Sequence, residues 1–196
     1  MESTVTSIQT DAPVGQPDAD LVRRARTGDG QGAFSTLYRR YLTPVYRYFY
    51  ARTGDVQQAE DLAAQTFVSA LEGLPRYRER GTFAGWLFTI AAHRLADHFR
   101  RQPAVPMDEP ADLPNPDPPP EALVEQAEQM TRLAQAVQAL SPGRAQAVTL
   151  HFFGGLSLGE TACVMGRSKV AVKSLIHRAL RDLRRDLQER LDDERE

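Results

Sequence analysis

A chain of 196 residues and 21.9 kDa has room for one ordinary domain or two small ones. With 41% hydrophobic and 26% charged residues it lies in the range of folded soluble domains, and its single cysteine, Cys163, excludes an internal disulfide or a multi-thiolate metal site. The formal net charge of −2 conceals a segregation: residues 21–101 hold thirteen bases against seven acids, residues 102–140 one against seven, and residues 141–191 nine against four. Two basic blocks flank an acidic one, and a polyanion responds to that distribution rather than to the total.

In chain order, residues 1–18 are polar, contain two prolines and show no periodicity, which predicts a disordered tail. The start lacks a basic stretch followed by an apolar run, and no segment approaches ~18 apolar residues, so the expectation is a cytoplasmic protein without export signal or membrane span. From Asp20 to Gln102 the pattern is helical. Ala33, Phe34, Leu37, Tyr38, Tyr41, Leu42, Val45, Tyr46 and Phe49 recur at spacings of three and four, with Pro44 predicting a kink or break near Thr43. Asp55 is placed to cap a second helix running to about Leu74. Its inner face is Ala59, Leu62, Ala63, Phe67, Ala70 and Leu74, and its opposite face is Gln58, Asp61, Gln65 and Glu72. A loop from Pro75 to Thr82 carries Arg76, Tyr77, Arg78 and Arg80, and a third helix spans about Phe83 to Arg101.

On that third helix Leu87, Phe88, Ala91, Leu95 and Phe99 form one side and Trp86, Thr89, His93, Asp97 and Arg100 the other. With Tyr77, Phe83 and the loop arginines this reads as an aromatic and basic surface suited to single-stranded nucleic acid, where rings stack bases and guanidiniums hold the backbone. The alternative is that Trp86 and Phe83 are core and the arginines merely solvated; the composition leaves the two even.

Residues 103–120 hold eight of the thirteen prolines among acidic residues, a composition that predicts an extended linker. A helix then resumes from about Glu121 to Leu140, ended by Ser141-Pro142-Gly143. Arg144–Phe153 forms a short helix stopped by Gly154-Gly155, and Leu158–Met165 and Ser168–Leu191 complete a four-helix unit. In the last pair Ala162, Gly166 and Val172 stand where a helix-turn-helix needs a small residue, a turn glycine and a buried branched residue. The buried stripe of the final helix is Val172, Ile176, Ala179, Leu180, Leu183 and Leu187. The far side carries Ser174, His177, Arg178, Arg181 and Arg185, with Lys173 at its rim, a face suited to duplex DNA.

Rival chemistry is thinner. Gly155-Leu156-Ser157-Leu158-Gly159 matches a hydrolase nucleophile elbow, but that motif needs a preceding strand and a later acid and histidine. Ser157 with Glu160 three residues on reads instead as a helix capping box. His93 and Asp97 are two candidate metal ligands and do not close a site. Cys163, among apolar neighbours, is expected to pack in the interior.

The order Ala33-Phe34-x-x-Leu37-Tyr38, Ala59-Glu60-Asp61-Leu62 with Gln65-Thr66-Phe67, Phe83-Ala84-Gly85-Trp86-Leu87-Phe88, Asp97-His98-Phe99-Arg100-Arg101, Leu140-Ser141-Pro142 and Val172-Lys173-Ser174-x-x-His177-Arg178-Ala179 resembles the extracytoplasmic-function (ECF) sigma factors of bacterial RNA polymerase. The resemblance implies an all-α protein with sigma region two at 19–102, the proline-rich linker at 103–120, region four at 121–191 and an acidic tail at 192–196. It implies polymerase contact through Gln58, Asp61, Gln65 and Glu72. It implies recognition and melting of the −10 element by Tyr77, Arg78, Arg80, Phe83, Trp86, His93, Arg94, Asp97, Arg100 and Arg101. Duplex −35 reading would fall to Arg167, Ser168, Lys169, Lys173, Ser174, His177, Arg178 and Arg181, with the Arg144–Phe153 helix on the polymerase flap. The implied partners are core RNA polymerase at its clamp and flap, promoter DNA and an anti-sigma factor, with no cofactor, metal or catalytic centre. The chain departs from the family pattern at Ala64, Leu71, His93, Val170 and Leu175, which leaves the promoter sequence open. A stand-alone helix-turn-helix regulator with a sensing or dimerising N-terminal domain is the alternative.

Overall fold

The computed structural model describes residues 16–27, 30–79, 81–101 and 121–193. Among these every regular element is helical: α1 (Asp18–Arg26), α2 (Gly30–Thr53), α3 (Val56–Gly73), a 3-10 turn (Leu74–Arg76), α4 (Phe83–Arg101), α5 (Glu121–Gln138), α6 (Pro142–Val148) with a π-turn (Thr149–Phe153), α7 (Leu158–Met165) and α8 (Lys169–Asp193). Residues 1–15, the linker over 103–120 and residues 194–196 lie outside the described residues; of the tail expected over 1–18, Asp18 instead begins α1, and Asp192 and Asp193 of the acidic end close α8.

α2 is the central element. It runs through Pro44 without interruption, against the predicted break. One lost backbone bond at proline is outweighed because Leu37, Val45, Tyr48 and Phe49, on both sides of it, are fully buried against neighbouring helices. α1 is fastened to α2 through Asp18, which accepts hydrogen bonds from Arg40 and the Tyr41 hydroxyl. Burial, and then the Asp18 carboxylate, push the Tyr41 hydroxyl's pKa well up. Asp55 caps α3 as expected, its carboxylate accepting from the Gln58 N–H at 2.7 Å. All six residues assigned to the inner face of α3 are buried. Tyr48 lies wholly inside, edge-on to Phe49 and Phe88, and its hydroxyl has no partner; burial raises its pKa to about 12. Phe99, assigned to the inner side of α4, is instead 43% exposed, because it lies in the last turn beyond the packed part of α4 and rests under the Arg52 guanidinium at 5.7 Å.

The C-terminal unit starts with α5 and turns at Ser141. Pro142 and Gly143, expected in the turn, are the first residues of α6, where proline's missing N–H has no intrahelical partner to lose. Val137, Ala145, Val148, Ala179 and Leu183 join α5, α6 and α8, while Ala147, Ala162, Val172 and Ile176 join α6, α7 and α8. Gly166 closes α7 at φ 60°, the left-handed conformation anticipated for the helix-turn-helix turn.

The two units are packed together. Ala134, Leu150 and Leu156 belong to the same apolar cluster as Tyr48, Phe49 and Phe88, and the Tyr50 hydroxyl lies 2.9 Å from that of Thr131. Gly154 sits so close to Phe88 that a Cβ there would lie 3.0 Å from the ring and 2.6 Å from the Leu150 carbonyl oxygen, so only glycine fits without displacement.

Candidate nucleic-acid interface

Two helix faces gather the candidate residues. On α8, Lys173, Ser174, His177, Arg178 and Arg181 are all exposed, opposite the buried Val172, Ile176, Ala179 and Leu183. Arg167, Ser168 and Lys169 are exposed at the entrance to the helix, where the Ser168 hydroxyl accepts from the Ala171 N–H at 3.2 Å. Leu180 is half-buried and the Leu187 side chain is outside the described residues. The face also contains Val170, named above only as a departure from the family pattern: 80% exposed, it heads the stripe one turn before Ser174. Its helical phase, in line with Ser174 and His177, is the signal that places it there.

The second face is on α4 and the loop before it. His93, Arg100 and Arg101 are exposed, as is Arg78, whereas Arg80 lies outside the described residues. Arg94 is half-buried and donates to the Ser69 hydroxyl; Asp97 pairs with Arg100 at 2.8 Å. Gln65, expected to face the polymerase, meets Arg94, Asp97, His98 and Arg101 around one surface pocket of about 220 Å³. Gln58 is half-buried, and Asp61, Gln65 and Glu72 are exposed along one side of α3, as their spacing predicted.

The aromatic part of that surface needs correcting. Tyr77 and Phe83 are 6% and 3% exposed and have no free face for a base. They pack beneath Trp86, whose ring centroid lies 4.8 Å from Tyr77 and 5.6 Å from Phe83, with its outer edge over Gly73. Helical phase had grouped Trp86 with the outward side, but the loop folds back and half-buries it. Only this ring of the three reaches the surface, and the other two hold it in place. Cys163 is a second correction: it is exposed, because α7 buries Thr161 and Ala162 instead.

At the junction of the two units the Ser157–Glu160 capping box is formed. The Glu160 N–H donates to the Ser157 hydroxyl at 3.3 Å, and the Glu160 carboxylate accepts from the Ser157 N–H at 2.8 Å and its hydroxyl at 2.6 Å. The other carboxylate oxygen accepts from the Thr82 hydroxyl, which itself accepts from the Gly85 N–H at 3.1 Å in the first turn of α4. One carboxylate thus ties the starts of α4 and α7, a link between distant segments that carries no sequence signal. Burial tends to raise the pKa of Glu160, but the bonds from the Ser157 hydroxyl, Thr82 and the Ser157 backbone outweigh it and the net shift is downward. With the serine committed to this cap, the hydrolase pattern is accounted for. Among the described residues no group of three His, Cys, Asp or Glu side chains could hold a metal, and no helix is long and apolar enough to cross a membrane.

A helical protein with a helix-turn-helix and two outward basic helix faces has the architecture of a DNA-binding transcription protein. Comparison with known proteins narrows this. The Sigma-70 region 2 family matches residues 37–104, and the Sigma-70, region 4 family matches residues 130–183. The chain is 41% identical over 170 residues to the ECF RNA polymerase sigma factor BldN of Streptomyces coelicolor, covering 85% of this chain and 64% of that relative. It is 34% identical over 175 residues to the ECF RNA polymerase sigma factor SigD of Mycobacterium tuberculosis, covering 85% of this chain and 82% of SigD. Among solved structures, CnrH in complex with the cytosolic domain of CnrY superposes with a TM-score of 0.65 at 26% identity, covering 88% of this chain and 97% of CnrH. The chain belongs to the ECF RNA polymerase sigma factors.

Proposed function

We propose that this sigma factor binds core RNA polymerase through the Asp61, Gln65 and Glu72 side of α3, captures the −10 element on α4, and reads the −35 element as duplex with α8. Support comes chiefly from α8: a helix-turn-helix with a closed turn at Gly166 presents Ser174, His177, Arg178 and Arg181 together, while its other side is locked in the core. Such a helix fits the major groove with its first turns at base edges and later arginines at phosphates. On α4, the cationic run His93 to Arg101 and the single presented ring of Trp86 suit an unpaired strand. Unstacking costs a few kcal/mol, which stacking and backbone contacts return. The chemistry of initiation belongs to the polymerase; this chain's residues bind, position and hold strands apart, acting in the cytoplasm where that enzyme works. CnrH was solved with the cytosolic domain of another protein bound. By the same likeness we infer an anti-sigma partner for this chain.

The test is run-off transcription on genomic fragments with core polymerase, with and without this chain. New, discrete start sites that depend on the chain support the proposal. Unaltered start sites, or tight dimeric binding to a palindrome without polymerase, would refute it in favour of a stand-alone regulator.

A further inference from the structure

We propose that Val170 is a specificity-determining residue that reads the 5-methyl group of a thymine in the upstream element. The inference rests on the assignment of α8 to duplex reading and adds a base preference to it. Val170 is 80% exposed, the most exposed of the large apolar side chains among the described residues. It does not stand on a neutral surface but at the head of the reading stripe, in phase with Ser174, His177 and Arg181 at four, seven and eleven residues' distance. Its neighbours fix what it can meet. The Lys169 stem is folded back against α7, with its Cε 3.1 Å from where a Cβ on Gly159 would lie, so this ammonium stays to one side. Lys173, one turn on from Lys169, is exposed on the same side, and Arg178 is exposed on the other. Lysines on one side of the apolar tip and Arg178 on the other suit phosphates on either rim with the tip directed into the groove.

A valine neither donates nor accepts a hydrogen bond. The feature of the major-groove floor that rewards an apolar group is the thymine methyl, which no other base carries. Being β-branched, Val170 is held in few rotamers on a helix, so its methyls are presented at little ordering cost. A lone exposed valine on an ordinary face would call for no explanation; one at the head of a cationic DNA-reading stripe does.

The experiment uses holoenzyme reconstituted from core polymerase and the full chain. Templates with a randomised upstream element are selected by run-off with the wild type, Val170→Ala and Val170→Thr. The thymine at each selected position is then replaced by deoxyuridine, which keeps every hydrogen bond and lacks the methyl. The wild type should select a thymine at one upstream position and lose about fourfold in binding when it becomes deoxyuridine, the worth of one methyl taken out of water. Val170→Ala should bind both templates alike and lose the preference, and Val170→Thr, with one methyl left, should fall between. Because the side chain is exposed, none of these variants threatens the fold, and thermal melting would verify this. Identical selected sequences from wild type and Val170→Ala overturn the proposal and assign Val170 to a protein-facing surface, leaving duplex reading intact. Wild-type holoenzyme that starts transcription with no upstream preference overturns this proposal and the α8 assignment together.

Discussion

Removing the Glu160 side chain should uncouple the two helical units by a measurable amount. In the structure its carboxylate holds the Ser157 N–H and hydroxyl and the Thr82 hydroxyl. Glu160→Ala leaves the Ser157 cap on the backbone N–H of residue 160 but removes the reciprocal bonds from the Ser157 N–H and hydroxyl, together worth about 1 kcal/mol. A hydrogen bond to an ionised acceptor is worth about 1.5–3 kcal/mol when sheltered, but Glu160 is half-exposed and Thr82 exposed, so about 0.5–1 kcal/mol is expected for that contact. Glu160→Ala should therefore destabilise by about 1.5–2 kcal/mol in urea unfolding at pH 7. The cap and the cross-link separate in a double-mutant cycle with Thr82→Val, where the coupling should be about 0.5–1 kcal/mol. The pH dependence has a fixed sign. A carboxyl held below its ordinary 4.5 contributes stability that is present above 4.5 and lost as pH falls through its lower folded value. The gap between wild type and Glu160→Ala should thus narrow in acid. A coupling indistinguishable from zero, or a gap that widens on acidification, would refute the reasoning.

Arg178→Ala should weaken duplex binding by holoenzyme by about 1–3 kcal/mol if its guanidinium reads a guanine edge; a uniform loss across sequences, measured by competition binding, would show phosphate contact instead. Trp86→Ala should leave duplex affinity unchanged and lower the open-complex yield scored by permanganate footprinting, and an unchanged yield would remove Trp86 from strand capture. The same substitution should cost about 2 kcal/mol in urea unfolding, since the ring is half-buried on Tyr77 and Phe83. Tyr48→Phe deletes a hydroxyl that is buried without a partner, so stability should hold or rise by up to about 1 kcal/mol; a loss above 1 kcal/mol would mean the hydroxyl is satisfied in solution.

Periodicity was a reliable guide where one face of a helix decides everything. The inner face of α3, the extent of α4 and the buried and exposed sides of α8 follow from three-and-four spacing, and the Asp55, Ser157 and Gly166 termini follow from local backbone chemistry. It failed where tertiary packing overrides phase. Pro44 does not break α2, because the helix is buried on both sides of it. The loop after α3 folds Tyr77 and Phe83 inward, although nothing in the loop's composition distinguishes a covering ring from an exposed one. Cys163 faces solvent because Thr161 and Ala162 take the inner positions of a helix only eight residues long. The contacts between units, Glu160 to Thr82 and Gly154 to Phe88, join segments about seventy residues apart and were invisible for that reason.

The shared apolar cluster gives the free chain a preferred shut posture. Swinging the C-terminal helices away would return Leu150 and Leu156 to water, at about 1.5–3 kcal/mol for each side chain, and would uncover the Phe88 ring that Gly154 shields. Any large surface that spreads the two halves must offer these three side chains new apolar neighbours, or supply an equivalent attraction elsewhere. The glycine at position 154 thereby sets how firmly the molecule stays folded over itself: a bulkier residue there would wedge the halves apart before any other protein arrives.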